Sequence, residues 1–369
     1  MALTLTVEER VARARADLRM GAPVALVRSD GGDAVLVLAA EMASDARLAD
    51  LRALAPNEFD LAISHYRAAT LAARAYDGTI ARVILDPEHD AKWIRATADP
   101  SLDLATPLKG PYRTRREGAS DLHALGLLLT KQARLLPAAV VARFADGARA
   151  AEIAAEARLS VLDADTVRAA EGAAIRLLRV SGARVPTRFA ERGRVEVFRP
   201  DDGAEEHYAV IIGTPHRDDP VLSRLHSACF TGDVIGSLKC DCGPQLDAAL
   251  AQIAQEGRGV LLYMNQEGRG IGLANKMRAY ALQDEGFDTV EANHRLGFED
   301  DERDFRLGAE ILKALGFRAT RLMTNNPAKV EMMRASGVAV TERVALRVGE
   351  TRHNTAYLAT KAAKSGHIL

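Results

Sequence analysis

The amino-acid sequence predicts an α/β (α+β) fold, because strand and helix patterns alternate along its second half. The run GVLLYMNQ (259–266) has the length and apolar content of a buried strand. The segment before it begins after Gly243 and stops at Gly257, and it places Leu246 and Ile253 on one apolar stripe. That spacing predicts a helix leading into the strand.

The later elements continue the alternation. The stretches NKMRAYALQDEG (275–286) and DFRLGAEILKALG (304–316) have helical patterns. RATRLMTNN (318–326) predicts a strand, and the next helix begins with Asn326 as its cap and Pro327 in its first turn. Helices and strands of one mixed domain account for this half of the chain.

The first half shows strand and helix signals without a chemical motif. APVALVRSDGGDAVLVLAAEM (22–42) contains two apolar runs around a Gly-Gly turn, whereas 123–144 and 146–160 are predicted to be helical. We find no clear metal set, nucleophile elbow or phosphate loop there. A proline-containing stretch at 181–189 predicts a boundary. We therefore expect an accessory α/β domain over 1–180, without its own catalytic site, and a second domain over 186–369.

The composition excludes several classes of protein. The chain has 369 residues, 48% of them hydrophobic and 27% charged, with a net charge of −1. A balance this close to neutral disfavours nucleic acid and anionic membranes as partners. No apolar run approaches the roughly 18 residues of a membrane span, and the first residues lack the apolar core of a secretory signal. We expect a cytoplasmic protein.

All three cysteines of the chain fall within fourteen positions, at Cys229, Cys240 and Cys242. This count is odd and too small for a disulfide framework. The spacing C-x10-C-x-C differs from the paired knuckles of zinc ribbons, and three thiolates are one ligand short of a structural zinc site. A catalytic zinc, which keeps one position for water or substrate, is one interpretation.

Two alternatives stay open on spacing alone. His226, three residues before Cys229, could close a Cys3His structural site. The cysteines could also be small buried apolar residues. The surrounding residues favour a site for phosphates, because Arg224, Arg269 and Lys329 stand in stretches rich in Gly, Thr and Asn. GRGIG lacks the third glycine of a dinucleotide fingerprint.

Together these segments resemble the GTP cyclohydrolase II family over nearly all of 186–369. The motifs HSxCxTGDxxGSLxCDCGxQL, QEGRGIGLxNKxRAYxLQDxGxDTVEAN, LGFxxDxRDF and TNNPxK occur in the family's order. The resemblance implies a hydrolase that opens the ring of a bound nucleotide. It also implies one zinc ion per chain, bound by Cys229, Cys240, Cys242 and a water, and a homodimer. Mg²⁺ is expected with the substrate phosphates.

The resemblance also assigns individual residues. Those expected around the nucleotide are Arg224, Leu225, His226, Ser227, Ala228, Gln245, Glu267, Gly268, Arg269, Thr289, Thr324 and Lys329. Tyr280 matches a tyrosine that donates or relays a proton. Asp301 and Arg303 match a pair described as proton acceptor and nucleophile. Since deprotonating an arginine at pH 7 costs roughly 8 kcal/mol, we expect Arg303 to act as a guanidinium clamp on the phosphates.

Three positions depart from the GTP-opening pattern: Ala228 replaces an acid, Phe230 an aliphatic residue and Asn265 an arginine. The first half only faintly resembles 3,4-dihydroxy-2-butanone-4-phosphate synthase, with Asp30 and Asp33 where that family has an acidic metal-binding loop. Both features resemble the paralogous branch associated with uracil catabolism. We therefore expect opening of a uridine nucleotide, UTP or UMP. The alternatives are GTP cyclohydrolase II activity in riboflavin biosynthesis and a non-catalytic nucleotide-binding regulator.

Overall fold

The computed structural model describes residues 3–56, 58–171, 175–346 and 348–349. Its chain divides into two compact units. The first unit holds the described residues up to 171 together with Ala274–Phe287 and Glu291–Asp300, and the second holds Ile175–Leu273, Asp288–Val290 and the described residues from 301 onward. Two segments of the second half therefore pack with the first unit, so the division is not a single cut near 181–189.

Helices and strands alternate in both units. The helices are α1 Val7–Arg19, α2 Asp45–Leu54, α3 His65–Thr70, α4 Ala91–Ala98, α5 Asp121–Gln132, α6 Gly147–Glu156, α7 Ala164–Ala170, α8 Cys242–Glu256, α9 Leu273–Asp284, α10 Thr289–Leu296, α11 Arg306–Ala314 and α12 Pro327–Ala335. The strands are β1 Val24–Val27, β2 Ala34–Ala39, β3 Phe59–Ser64, β4 Ile80–Ile84, β5 Ala138–Phe144, β6 Ser160–Asp163, β7 Leu177–Arg184, β8 Gly193–Pro200, β9 His207–Ile212, β10 Val221–Ser227, β11 Gly259–Met264, β12 Ala319–Met323 and β13 Ala339–Val344. The predicted α/β (α+β) class is confirmed.

The first unit is built on a six-stranded sheet in the order β4-β3-β5-β2-β1-β6. The pairs are antiparallel except for β1 with β6. Helices α1 and α5 pack on it through residues such as Leu18 and Leu129. The predicted helix over 123–144 was wrong in its second half, because AAVVARF forms β5. A fully buried apolar run has no periodicity that separates strand from helix.

The second unit is built on a seven-stranded sheet in the order β13-β12-β10-β11-β9-β8-β7. Strands β11, β10, β12 and β13 are parallel, and the remaining pairs are antiparallel. Successive residues of β10 enter different cores, with Val221 packed in one apolar cluster and Leu222 in another. The sheet is therefore buried on both faces. The carboxyl ends of β10, β11 and β12 meet at one edge, where ligand sites form in sheets of this kind.

The helix ends in the second unit confirm the sequence signals. Gly257 ends α8 with φ of 80°, the left-handed region that glycine adopts at low cost. The side chain of Asn326 caps α12 by accepting from Ala328 N–H at 2.9 Å, and Pro327 is in the first turn. None of the helices among the described residues is long and apolar enough to span a bilayer.

Candidate active site

Three cysteine side chains converge at the carboxyl end of β10. Cys229 lies two residues after this strand, Cys240 lies two residues before α8, and Cys242 is the first residue of α8. Their Sγ atoms are all within 4.8 Å of one another, and those of Cys229 and Cys240 are 3.7 Å apart. Gly232 permits this approach, because a Cβ there would lie 2.9 Å from the Sγ of Cys240.

The chemistry of these thiols fits a bound cation. The Cys229 thiol and burial raise the pKa of Cys240, and both neighbouring thiols and burial raise the pKa of Cys242 well above its usual range. Three adjacent thiolates therefore need a metal ion to offset their repulsion. The amino end of α8 at Cys242 adds a favourable potential. Zinc takes ligands of this kind, so the residues present fit a zinc ion.

The structure does not add a fourth side chain to this set. Among the described residues, the possible metal ligands that cluster here are the three cysteines alone. The Nε2 atom of His226 instead faces Asp233, at 3.0 Å from its Oδ2. A closed Cys3His structural site is therefore not supported. A three-ligand set is the type that leaves a coordination position for water or substrate.

Asp233 organises a buried network that the sequence analysis missed. Its carboxylate accepts from His226 Nε2 at 3.0 Å, from the Tyr263 hydroxyl at 2.9 Å and from the Cys229 N–H at 3.0 Å. The register of β10 and β11 pairs His226 with Tyr263, which explains how both reach one carboxylate. The available signal was the acid of TGD, four residues after Cys229 and on the same turn.

Burial sets the protonation of this network. It lowers the pKa of His226, and Asp233 opposes that change without reversing it. Because Nε2 faces a carboxylate, the neutral ring carries its proton there and presents the lone pair of Nδ1. Burial and Asp233 also raise the pKa of Tyr263. Tyr263 is therefore a neutral donor near pH 7.

Arg224 is a buried cation with an unused donor. Its guanidinium donates to the Met323 carbonyl at 3.0 Å and to the side chain of Gln245, which donates in turn to Asp241. Burial lowers the pKa of Arg224 to about 10. Its Nε has no hydrogen-bond partner among the described residues. A buried donor of this kind is costly unless a ligand accepts from it, which makes Arg224 a candidate anion contact.

The remaining predicted residues near the end of β10 differ in whether their side chain or their backbone is available at the site. The side chain of Leu225 is 1% exposed and belongs to the apolar core, so only its carbonyl reaches the site, where it accepts from Lys329 Nζ at 3.1 Å. The Ser227 hydroxyl accepts from Arg303 at 3.4 Å. Ala228 is half-buried, and its backbone N–H donates a hydrogen bond to another backbone carbonyl.

The loop after β11 has two successive residues in the left-handed region, Gly268 with φ of 62° and Arg269 with φ of 61°. The second costs about 1–2 kcal/mol for a residue with a Cβ. The carboxylate of Glu267 accepts from the N–H groups of Phe230 at 2.6 Å and Gly268 at 2.9 Å. Glu267 thereby ties the strained loop to the turn that follows Cys229.

Asp301 and Arg303 form a forked ion pair. Nε of Arg303 lies 2.7 Å from Oδ1 of Asp301, and Nη2 lies 2.5 Å from Oδ2. Burial opposes ionisation of the carboxyl, but the hydrogen bonds and charge of Arg303 outweigh it and lower the pKa of Asp301. The pair is thus a guanidinium and a carboxylate. This state suits a charge clamp better than a nucleophile.

Two cations share the ring of Phe305. The Cζ atom of Arg303 is 4.7 Å from its centroid and the Nζ atom of Lys329 is 4.8 Å from it. Lys329 is buried in the first turn of α12, after Thr324, whose hydroxyl accepts from Asn326 N–H at 3.0 Å. Two cations held together at a helix amino end suit a phosphate.

Tyr280 and Thr289 lie on the helices after this loop. Thr289 begins α10 and is half-buried. Tyr280 lies on α9, where the Nζ atom of Lys276 is 5.6 Å from its ring centroid. Of all the predicted site residues, Tyr280 alone belongs to the first unit, whereas the predicted zinc ligands, the predicted nucleotide contacts and the Asp301–Arg303 pair belong to the second.

Comparison with known proteins gives consistent matches. The family model described as GTP cyclohydrolase II matches residues 178–345. A relative named GTP cyclohydrolase-2 from Azospirillum brasilense is 44% identical over 376 residues, covering 97% of this chain and 94% of that protein. A relative of the same name from Yersinia pestis is 56% identical over 195 residues, covering 53% of this chain and 99% of that protein. A solved two-domain 3,4-dihydroxy-2-butanone 4-phosphate synthase from A. baumannii matches 90% of this chain and 99% of that chain at 18% identity, with a TM-score of 0.34 that supports no conclusion.

Proposed function

The chain belongs to the GTP cyclohydrolase II family, and from that premise we propose that it opens the purine ring of GTP for riboflavin biosynthesis. It is a hydrolase of the cyclohydrolase type. The proposed products are formate, pyrophosphate and 2,5-diamino-6-ribosylamino-pyrimidinone 5'-phosphate. The observation that carries the proposal is the convergence of three thiols at the same sheet edge as Arg224, whose Nε has no hydrogen-bond partner among the described residues.

The expected uridine-nucleotide activity was wrong. Relatives that share 44% identity over 97% of the chain, or 56% over its second half, are named GTP cyclohydrolase-2. At two of the substituted positions, the side-chain amide of Asn265 donates to the Glu206 carbonyl, and Phe230 is 45% exposed. Neither observation supports a change of substrate.

The three cysteines would hold a zinc ion, which supplies the Lewis acidity needed for hydrolysis at a ring carbon. The protein residues then have separate tasks. Asp233 holds the Cys229 turn and orients His226. Arg224, Arg303 and Lys329 provide positive charge for the triphosphate, which would carry Mg²⁺ as part of the substrate. The fork of Arg303 suits the charge that develops as pyrophosphate leaves.

The accessory role of residues 1–180 and the homodimer remain part of the proposal. The first unit supports an accessory role in one respect: Asp33, at the position of the expected acidic loop, is paired with Arg28 at 2.5 Å and with Arg143 at 3.1 Å. Two arginines on one carboxylate leave it poorly suited to a metal. Light scattering of the purified protein would test the homodimer, and a monomer at assay concentrations would contradict it.

The activity is tested by incubating the zinc-loaded protein with GTP and measuring formate, pyrophosphate and the mass of the product. We expect all three products in a 1:1:1 ratio by the stoichiometry of the reaction. Protein stripped with a chelator and then reloaded serves as the matched control. A folded, zinc-replete protein that releases no formate from GTP would contradict the proposal.

A further inference from the structure

Two buried side-chain atoms of the second unit have no hydrogen-bond partner among the described residues: Nε of Arg224 and Oε1 of Gln266. Arg224 lies on β10, and Gln266 lies two residues after β11, the parallel neighbour of β10. The two residues are only 7% and 8% exposed. Buried polar groups are almost always hydrogen-bonded, so each of these atoms requires an explanation.

The side-chain amide of Gln266 has a fixed orientation. Its Nε2 atom donates to the backbone carbonyl of Asp304 at 2.9 Å. Because a carbonyl can only accept, turning the amide over would place two acceptors against each other. Oε1 is therefore directed away from Asp304, as an acceptor that no part of the described chain satisfies. A ligand that donates to this atom would remove the penalty of leaving it unpaired.

Backbone contacts place Gln266 beside the cysteine cluster. The Met264 carbonyl accepts from two N–H groups, that of Gln266 at 2.8 Å and that of Ala228 at 2.7 Å. Ala228 directly precedes Cys229. The carboxylate of Glu267 accepts from the N–H of the residue directly after Cys229 at 2.6 Å. Residues 266 and 267 are thus attached to the chain on both sides of Cys229.

The same loop is also attached to the segment that carries the Asp301–Arg303 pair. Besides the bond from Gln266 to Asp304, the carbonyl of Arg269 accepts from the N–H of Glu302 at 3.0 Å. The backbones approach so closely that a Cβ at position 270 would lie 2.7 Å from the Glu302 carbonyl oxygen. The side chain of Gln266 therefore extends from the cysteine turn toward the arginine segment.

The polarity of the two unpaired atoms limits the groups that can satisfy them. Nε of Arg224 needs an acceptor, which the oxygens of a triphosphate supply. Oε1 of Gln266 needs a donor, which those oxygens do not supply, whereas an N–H of the base or a hydroxyl of the ribose does. The base is the nearer source, because a ring that is opened at the metal has to lie beside Cys229. On guanine, the donors N1–H and the 2-amino group lie on the edge opposite the five-membered ring.

We propose that Gln266 is a specificity-determining residue, whose Oε1 accepts a hydrogen bond from the 2-amino group of guanine. With the five-membered ring at the metal, the 2-amino group is the donor of the base that extends furthest from Cys229. The amide of Gln266 is displaced from Cys229 in the same way, since its Nε2 reaches Asp304. This inference rests on the proposed function, and it assigns a base contact to a residue outside the expected nucleotide set.

The test compares GTP with inosine 5'-triphosphate, which lacks only the 2-amino group. Wild-type protein should prefer GTP by about 10- to 100-fold in kcat/KM for formate release. In Q266M, which keeps the length of the side chain but has no amide, the preference should fall to about threefold or less, with zinc content unchanged. Q255M is the matched control, because Gln255 is an exposed glutamine of the same unit on α8. It should keep the wild-type preference.

The ratio between the two substrates separates recognition from structural damage. Damage lowers the rates with both nucleotides equally, so a Q266M protein that keeps the wild-type preference would overturn the inference at any absolute activity. Loss of the preference for GTP over 2'-deoxy-GTP, with that over inosine triphosphate intact, would assign the acceptor to the ribose and also overturn it. If Q266M does not fold, Q266N, shorter by one methylene, replaces it.

If Q266M turns over neither nucleotide, the ratio of their dissociation constants replaces that of kcat/KM. Failure of the inference is distinguishable from failure of the proposed function. Wild-type protein that releases no formate from GTP would overturn the proposed function itself. Active wild-type protein whose preference is unchanged in Q266M would overturn only the role of Gln266.

Discussion

The imidazole of His226 and the carboxylate of Asp233 face each other inside the second unit, with Nε2 3.0 Å from Oδ2 and 3.1 Å from Oδ1. The same carboxylate accepts from the N–H of Cys229. Asp233 thus links the His226 ring to the turn that begins at Cys229, one of the predicted zinc ligands. Outer partners of this kind orient ligands and tune their metal.

The variant D233N is expected to weaken zinc binding and to lower kcat/KM by about 10- to 100-fold. Asparagine keeps the shape but loses the charge that holds His226 and the Cys229 turn. Competition with a chromophoric chelator measures the affinity. D247N is the control, since Asp247 is 53% exposed and pairs only with exposed Arg188 among the ion pairs described. Equal affinity in both variants would contradict the role of Asp233.

The variant R303K is expected to lower kcat for formate and pyrophosphate release by about 100-fold or more, since lysine keeps the charge but loses the planar fork. R306K is a close control. Arg306 forms a salt bridge with Asp304, two residues earlier, just as Arg303 does with Asp301, and its Nε lies 2.9 Å from Oδ1 of Asp304. The side chain of Arg306 is, however, 45% exposed. R306K should stay within about twofold of wild type. Full activity in R303K would contradict the proposal that Arg303 acts as a guanidinium clamp.

The variant C240S is expected to lose both tight zinc binding and turnover, because two thiolates and a hydroxyl form a much poorer site. Wild-type protein should contain one zinc per chain by elemental analysis. Substitution with Co²⁺ should give a thiolate charge-transfer band that C240S lacks. S237A, on the same loop, should behave as wild type. A folded, zinc-free C240S protein with normal turnover would rule out a catalytic metal.

The pKa of His226 predicts how stability changes with pH. Since burial lowers this pKa, the folded protein binds the proton less readily than the unfolded chain. The contribution to stability is complete above the ordinary histidine pKa and is lost as pH falls through the lowered one. Thermal melts of metal-free protein between pH 8 and 5 should show a smaller acid loss for H226Q than for wild type. H216Q, at a 67% exposed histidine, should match wild type, and identical curves for all three would refute the assignment.

Local sequence signals identified much of the second unit. The caps at Gly257 and Asn326 gave the ends of α8 and α12 because capping depends on a few neighbouring residues. Motifs also predicted the three cysteines, whose thiols converge in the structure, and they predicted Arg224 and Lys329 as site residues. The strand β5 was missed, since a run buried on both faces carries no period.

The rest depended on contacts that are distant in sequence. Asp233 receives bonds from residues on β10 and β11 only because those strands pair in a fixed register. The side-chain amide of Asn265 donates to the Glu206 carbonyl, 59 positions earlier in the chain, and the motif around Asn265 did not predict this partner. Pairing of Arg278 with Glu41 and Asp99 spans 237 and 179 positions. No local pattern encodes such partners.

The grouping of Ala274–Phe287 and Glu291–Asp300 with the first unit has a consequence for modularity. The two halves resemble a fusion that could be cut near residue 175, yet the chain crosses that boundary again after residue 273 and after residue 290. A fragment that begins at Ile175 would carry α9 while losing Glu41 and Asp99, the carboxylates that pair with Arg278. The cut would leave the guanidinium of Arg278 without both of its carboxylate partners, so residue 175 is a poor place to divide this chain.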